Sequence, residues 1–193
     1  SIYNQSKVQY LDVSSGTPYS INGTISVTNR PEQPVFNPNN SRLYVPCSSG
    51  GTVSVINTIT NTLVTNIQIG PGGLSGDLPD FAVYSDSQDT VYVSCNGTGN
   101  VITINPNTNL TGTTLSTGLG SGAARTLSLD TNSDTLYVSN LAFDSVSVFD
   151  LTTNTLINEI SIGDGPRGIA YDTVYDRMYV SVSLDNIVKV LNT

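Results

Sequence analysis

Four Tyr-Val pairs punctuate the chain at a nearly constant interval: Tyr44-Val45, Tyr92-Val93, Tyr137-Val138 and Tyr179-Val180. An interval of about 45 residues is that of a structural repeat, and one such unit cannot bury its apolar faces alone. The third unit shows the pattern most plainly. Between Ser133 and Ala170 the runs Thr135–Ser139, Ser145–Phe149 and Leu156–Ile162 alternate apolar and polar residues, with polar turns between them. Gly163-Asp164-Gly165-Pro166 then leads into a further run, Gly168–Tyr171. β-Branched and aromatic residues at a period of two, bounded by turn residues, predict antiparallel strand after antiparallel strand. Nothing in the chain carries a helical period, so the expected class is all-β.

Each unit holds four strands, lettered a to d; in the third unit they are Leu127–Leu129, Thr135–Ser139, Ser145–Phe149 and Leu156–Ile162. Pro31, Pro79, Ala124 and Pro166 stand at one fixed distance before the four tyrosines, and Val53, Val101, Val146 and Val188 at one fixed distance after them. Tyr137-Val138-Ser139-Asn140, followed by Ser145–Asp150, Thr152–Thr155 and Ile162–Pro166, resembles the YVTN family of β-propeller repeats. The resemblance covers nearly the whole chain. It implies blades of four antiparallel strands and, from the proteins in which that family is best known, a surface-layer or secreted setting. It implies no particular activity, because propellers host many unrelated ones. Cys47, Cys95 and Val182 stand where the motif has the asparagine seen at Asn140.

Blades must stack face to face around an axis for both faces of each sheet to be buried. The four tyrosines are expected to fill the layers between blades, with their hydroxyls at a polar edge. Lys7–Asp12 matches a c strand and Ile21–Val27 a d strand, whereas the carboxyl end supplies a, b and c and finishes at Ile187–Leu191. The expected architecture is a single β-propeller domain over residues 1–193. Its four blades fall at about 31–78, 79–123, 124–165 and 166–193, the last completed by the d strand of residues 1–30. Closure of this kind removes open sheet edges. The alternative is an open arc, or part of a larger propeller. The c position is supplied twice, and the spare strand could cap an edge, displace its twin or pair with another subunit.

Length varies mainly in the d–a connections, 28–30, 70–78, 118–123 and 163–165. Strands cannot absorb extra residues without losing register, so variation collects on one face, and that face is the expected site of recognition. The residue after each fixed position is charged: Glu32, Asp80, Arg125 and Arg167. In a four-blade ring Glu32 would face Arg125 across the axial mouth and Asp80 would face Arg167. Charges gathered away from water need such pairing. These residues, with Asp77, admit three readings: a structural ring of ion pairs, a binding site for a small anionic or zwitterionic ligand, or a hard-cation site on Glu32, Asp80 and Asp77. The nearby arginines speak against the cation. No metal and no cofactor is expected.

The remaining features narrow the function classes. A formal net charge of −8 and the lack of any Lys/Arg cluster oppose nucleic-acid binding. No apolar run approaches the roughly 18 residues of a membrane-spanning helix. Cys47 and Cys95 occupy one b-strand position in consecutive units, too far apart for a disulfide given the sheet-packing distance, so both are expected to be free, buried thiols. Free thiols lean against a strongly oxidising compartment. Histidine is absent, and neither a zinc-ligand set nor a phosphate loop nor a nucleophilic serine motif stands in its context. Carboxylates beside arginines stay ionised and make poor general acids. The chain begins at Ser1 with neither Met nor a signal peptide, as a processed form or an excised piece would.

The expectation is therefore a non-catalytic surface scaffold or adhesion module at an extracellular, cell-surface or particle-surface location. It would bind a protein or glycan partner through the d–a face, and its spare strand makes the chain itself, as an oligomer or array, one candidate partner. The alternative is a small-ligand binding protein at the mouth. A propeller hydrolase or lyase comes third.

Overall fold

Alternating runs become strands wherever turn residues flank them. The computed structural model describes residues 6–13, 20–70 and 77–193. β1 (Lys7–Asp12) and β2 (Ser20–Ser26) form a hairpin. β3 (Val35–Asn37), β4 (Arg42–Cys47), β5 (Thr52–Asn57) and β6 (Thr62–Gln68) form a four-stranded sheet in chain order. The same order recurs in β7 (Pro79–Ser85), β8 (Thr90–Cys95), β9 (Asn100–Asn105) and β10 (Leu110–Ser116). It recurs again in β11 (Thr126–Asp130), β12 (Thr135–Asn140), β13 (Ser145–Asp150) and β14 (Thr155–Ser161). β15 (Pro166–Asp172), β16 (Arg177–Val182) and β17 (Ile187–Asn192) make a three-stranded sheet. Among the described residues the chain is thus all-β, five antiparallel sheets that follow one another in sequence.

Local chemistry explains the tight turns. The a–b turns end on Ser41, Asp89, Asp134 and Asp176 and the c–d turns on Asn61, Asn109 and Asn154, all at positive φ. Asn and Asp tolerate that region because their short side chains hydrogen-bond to nearby backbone. Asp150 is typical of the first position of such a turn, its Oδ1 accepting the N–H groups of Thr152 and Thr153. The c and d strands bulge at matching places, between Tyr10 and Leu11, Val55 and Ile56, and Val148 and Phe149. The repeat therefore extends to its irregularities.

Burial follows the period of two and joins each sheet to the next. Tyr44, Val53 and Val55 lie on one face of the β3–β6 sheet and bury against Ala82, Val91, Val93 and Cys95 of its neighbour. Tyr92 and Val101 do the same against Leu127, Leu136 and Val138. Tyr137, Val146 and Val148 do so against Met178, Val180 and Val182. The β1–β2 hairpin covers the first sheet, Ile25 and Val27 meeting Val45, Cys47 and Ile56. Outer strands β6, β10 and β14 stay largely exposed. A row of face-stacked antiparallel sheets of this kind is consistent with a β-propeller.

Tyr44, Tyr92 and Tyr137 are buried as expected. Tyr44 reaches a polar edge, its hydroxyl donating to the carbonyl of Pro106 at 3.3 Å and accepting from Asn40. Burial, helped by the charge of Asp134, pushes the Tyr92 hydroxyl up to about 12. Tyr179 departs from the set and is only half-buried, because no further sheet stacks on its face among the described residues. The expected closure is also absent. β2 pairs with β1 and not with β17, and β16 is the sole partner of β17 among the described strands. The physical reason is that β1 and β17 are both c strands, and one sheet has room for only one. β1 keeps β2 as its hairpin partner, through six paired positions.

Candidate functional site

The inner strands begin where the d–a connections end, and there the candidate residues gather. Gln33 bridges to Phe81 in parallel, and the Gln33 N–H donates to the Asp80 carbonyl at 3.3 Å, so two neighbouring inner strands touch directly. Pro31, Glu32, Gln33, Asp80, Phe81, Arg125 and Thr126 line a cleft of about 510 Å³ at this place. Three of the four charged positions therefore share one cleft.

Their pairing differs from the diagonal arrangement expected of a closed ring. Arg125 Nη1 lies 3.5 Å from Asp80 Oδ2, a contact between adjacent sheets. Glu32 Oε1 is held by Arg30 Nε at 3.1 Å and by the Ser48 hydroxyl at 2.8 Å. Arg167 is exposed, does not line the cleft and has no ion-pair partner among the described residues. Neither diagonal pair, Glu32 with Arg125 or Asp80 with Arg167, forms among the described residues. Burial raises the Asp80 carboxyl above the usual carboxylate value; Arg125 opposes that rise, Glu32 adds to it, and Arg30 opposes it.

Asp77 stands apart from the cleft lining. Its carboxylate lies against Gly70, whose φ of +75° and lack of a side chain make the approach possible, since a Cβ there would overlap it. Burial raises its carboxyl too. Its charge reaches Cys95, whose thiol is pushed far up by burial first and Asp77 second. Residues 71–76 of the long connection lie outside the described residues. Cys47 and Cys95 are free and buried, as expected. An inert, protonated Cys95 is no nucleophile. No three Asp, Glu, Cys or His side chains gather closely enough to hold a metal ion among the described residues.

What positions Arg125 was not read from the sequence. Asn140 is fully buried; its Oδ1 accepts the Ala124 N–H at 3.1 Å while its Nδ2 donates to Ser147 and Ser145. Ala124 has φ +51°, a conformation closed to proline. Pro31, Pro79 and Pro166 fill the equivalent place elsewhere and carry no N–H to satisfy. Their partners across the strand pair are Cys47, Cys95 and Val182, which need accept nothing. The signal was in the sequence: the one asparagine accompanies the one missing proline.

A second recurrent contact ties the inner strands of successive sheets. The Ser94 hydroxyl donates to the carbonyl of Arg125 at 2.8 Å, and the Ser139 hydroxyl to the carbonyl of Arg167 at 3.1 Å. The backbone of both arginines thus belongs to the frame, while only the Arg125 side chain lines the cleft.

No protein-family model and no curated protein matches the chain. Among solved structures it is similar to the hydrazine synthase of Kuenenia stuttgartiensis, with a TM-score of 0.77 and 20% identity over 91% of this chain and 49% of that one. The chain spans about half the length of that neighbour. At this identity the likeness is one of fold alone.

Proposed function

We propose that the chain is a non-catalytic β-propeller-type interaction scaffold of the YVTN repeat kind, recognising a protein or glycan partner through the face on which its d–a connections run. The observation that carries the reading is the cleft at the start of the inner strands, where Glu32, Asp80 and Arg125 are set around Pro31 and Phe81. A rigid sheet frame that carries a charged, partly apolar hollow at its loop end suits recognition. Cys95 is held protonated and histidine is lacking, which argues against nucleophilic or acid–base catalysis. An extracellular or surface location goes with this reading.

The test is binding on printed glycan and peptide arrays by the wild-type chain and by Arg125→Gln. Signals lost in the variant at an unchanged Tm support the reading; signals that persist in the variant, or none at all, overturn it. A second reading is favoured by the pairing inside the cleft. With carboxylates and a guanidinium side by side, a small zwitterion could set its cation on Asp80 and its anion on Arg125. Calorimetric titration with free amino acids separates the two, because heat that Arg125→Gln abolishes, with blank arrays, selects the small ligand.

A further inference from the structure

The backbone that lines the cleft is already spent. The Glu32 N–H donates to the Pro46 carbonyl at 2.8 Å, that of Gln33 to the Asp80 carbonyl at 3.3 Å and that of Arg125 to the Ser139 carbonyl at 2.9 Å. The N–H groups of Phe81 and Thr126 go to the hydroxyls of Ser94 and Ser139, at 3.0 and 3.1 Å. Pro31 has no N–H to offer. The carbonyls of Asp80 and Arg125 are engaged as well, by the Gln33 N–H and the Ser94 hydroxyl. An extended peptide that adds a strand to a sheet needs such backbone groups free. Recognition in this cleft therefore falls to side chains.

Those side chains come in pairs of opposite charge, Arg30 with Glu32 and Arg125 with Asp80, whose formal charges cancel. An entering anion meets Glu32 and Asp80, and a cation meets Arg30 and Arg125. Either must displace a partner or sit beside a like charge. Each pair still leaves capacity over. Glu32 Oε2, Asp80 Oδ1 and the Arg125 nitrogens other than Nη1 have no partner among the described residues. Acceptors and donors this close together suit a group that donates and accepts at once, which is a hydroxyl. A second hollow of about 110 Å³, lined also by Arg30, Ser48 and Asn96, shares Glu32, Asp80 and Arg125 with the cleft, so these groups are reached from two sides. The rest of the wall is apolar. Phe81 packs against the layer around Tyr92 and Leu127 and lines the cleft beside Pro31. An aromatic wall next to hydroxyl-binding groups matches a pyranose, which carries a C–H face and a hydroxyl rim.

We infer that the cleft takes an uncharged glycan: one sugar ring lies with its C–H face toward Phe81 and Pro31, and two adjacent hydroxyls of its rim engage Asp80 and Arg125 together. This rests on the scaffold reading and chooses one ligand class within it. One hydroxyl donates to Asp80 Oδ1 and its neighbour accepts from the Arg125 guanidinium, so the ion pair stays intact. Gln33, exposed at the rim, carries both a donor and an acceptor for the next sugar residue. The frame is set before the ligand arrives. Arg30 and Ser48 hold Glu32 Oε1, while Ser94 and Ser139 hold the Arg125 backbone. Such preorganisation limits the cost of ordering on binding. It matters most for a sugar, whose hydroxyls gain little net from exchanging water for protein.

The experiment is calorimetric titration of the full chain with mannotriose, galactotriose, cellotriose and N-acetylchitotriose, alongside sialyllactose and free amino acids. At least one uncharged trisaccharide should bind, with a Kd that changes less than about twofold between roughly 50 and 500 mM NaCl, because screening acts on charge. Asp80→Asn and Phe81→Leu should each weaken that binding about tenfold or more, with circular dichroism unchanged. Saturation-transfer NMR should show the C–H protons of one sugar face taking up most of the saturation, a preference that Phe81→Leu removes. Failure of all four uncharged sugars overturns the inference, as does binding that neither substitution weakens or that salt abolishes. If the arrays then return a peptide or a charged glycan that Arg125→Gln loses, the scaffold reading stands and only the choice of ligand falls. Heat from free amino acids alone selects the zwitterion, and blank arrays with silent titrations sink every reading of the cleft.

Discussion

Asn140 shows how a single residue type can be dictated by one backbone hydrogen. A buried N–H must be satisfied, and losing its acceptor costs about 1–3 kcal/mol. Ala124 exposes such an N–H to the interior, and proline removes it in the other three units. Cys47→Asn should therefore bury an amide facing Pro31 with nothing to accept from, and lower stability by about 1–3 kcal/mol. Asn140→Val should cost a similar amount for the opposite reason, and thermal unfolding of the two variants checks both. Asp80 offers a test in pH. Its carboxyl is raised in the folded chain, so the folded state holds its proton more tightly than the unfolded state, and stability falls as pH rises from the ordinary value of 3.8 through the folded one. Asp80→Asn, which mimics the protonated form, should be at least as stable as the wild type at neutral pH. Its advantage should shrink on acidification, read as the difference in Tm at each pH. A variant less stable than the wild type at neutral pH, with a deficit that vanishes on acidification, would instead mean that the ion pair with Arg125 dominates.

At the scale of strands, most of the fold was legible because period-two alternation between turn residues has one physical solution. The c strand at Lys7–Asp12 has the bounds read from its residues, and the d strand read as Leu156–Ile162 forms one residue earlier, as Thr155–Ser161. The fate of β2 was not legible. Alternation says which face of a strand is apolar and nothing about which of two equivalent c strands will claim it. The charged cleft was half legible for the same reason. Equivalent positions placed Glu32, Asp80 and Arg125 at one end of the molecule, but their partners depend on how the sheets curve, and Arg167 falls outside. The links between a–b turns were missed altogether. Asn39 donates to Asp86, Ser87 to Asp134 and Asn132 to Asp176, a polar tie from each sheet to the next. The fourth turn has the exposed Val174 at the corresponding place, so the tie stops where the stack stops.

For the whole molecule, a stack in which each sheet touches only its neighbours has a stability that is close to a sum of sheet and interface contributions. Interior sheets are clamped by two interfaces and terminal ones by a single interface, so opening should begin at the ends. β8 and β12 are almost wholly buried, while β17 alternates between exposed and half-buried residues and β1 buries little. Native-state hydrogen exchange should therefore rank the strands, with the slowest amides in β8, β9, β12 and β13 and the fastest in β1, β2 and β17. A closed ring would behave differently, because every sheet would have two neighbours and protection would be nearly uniform. Uniform protection across all sheets would mean that the row closes on itself.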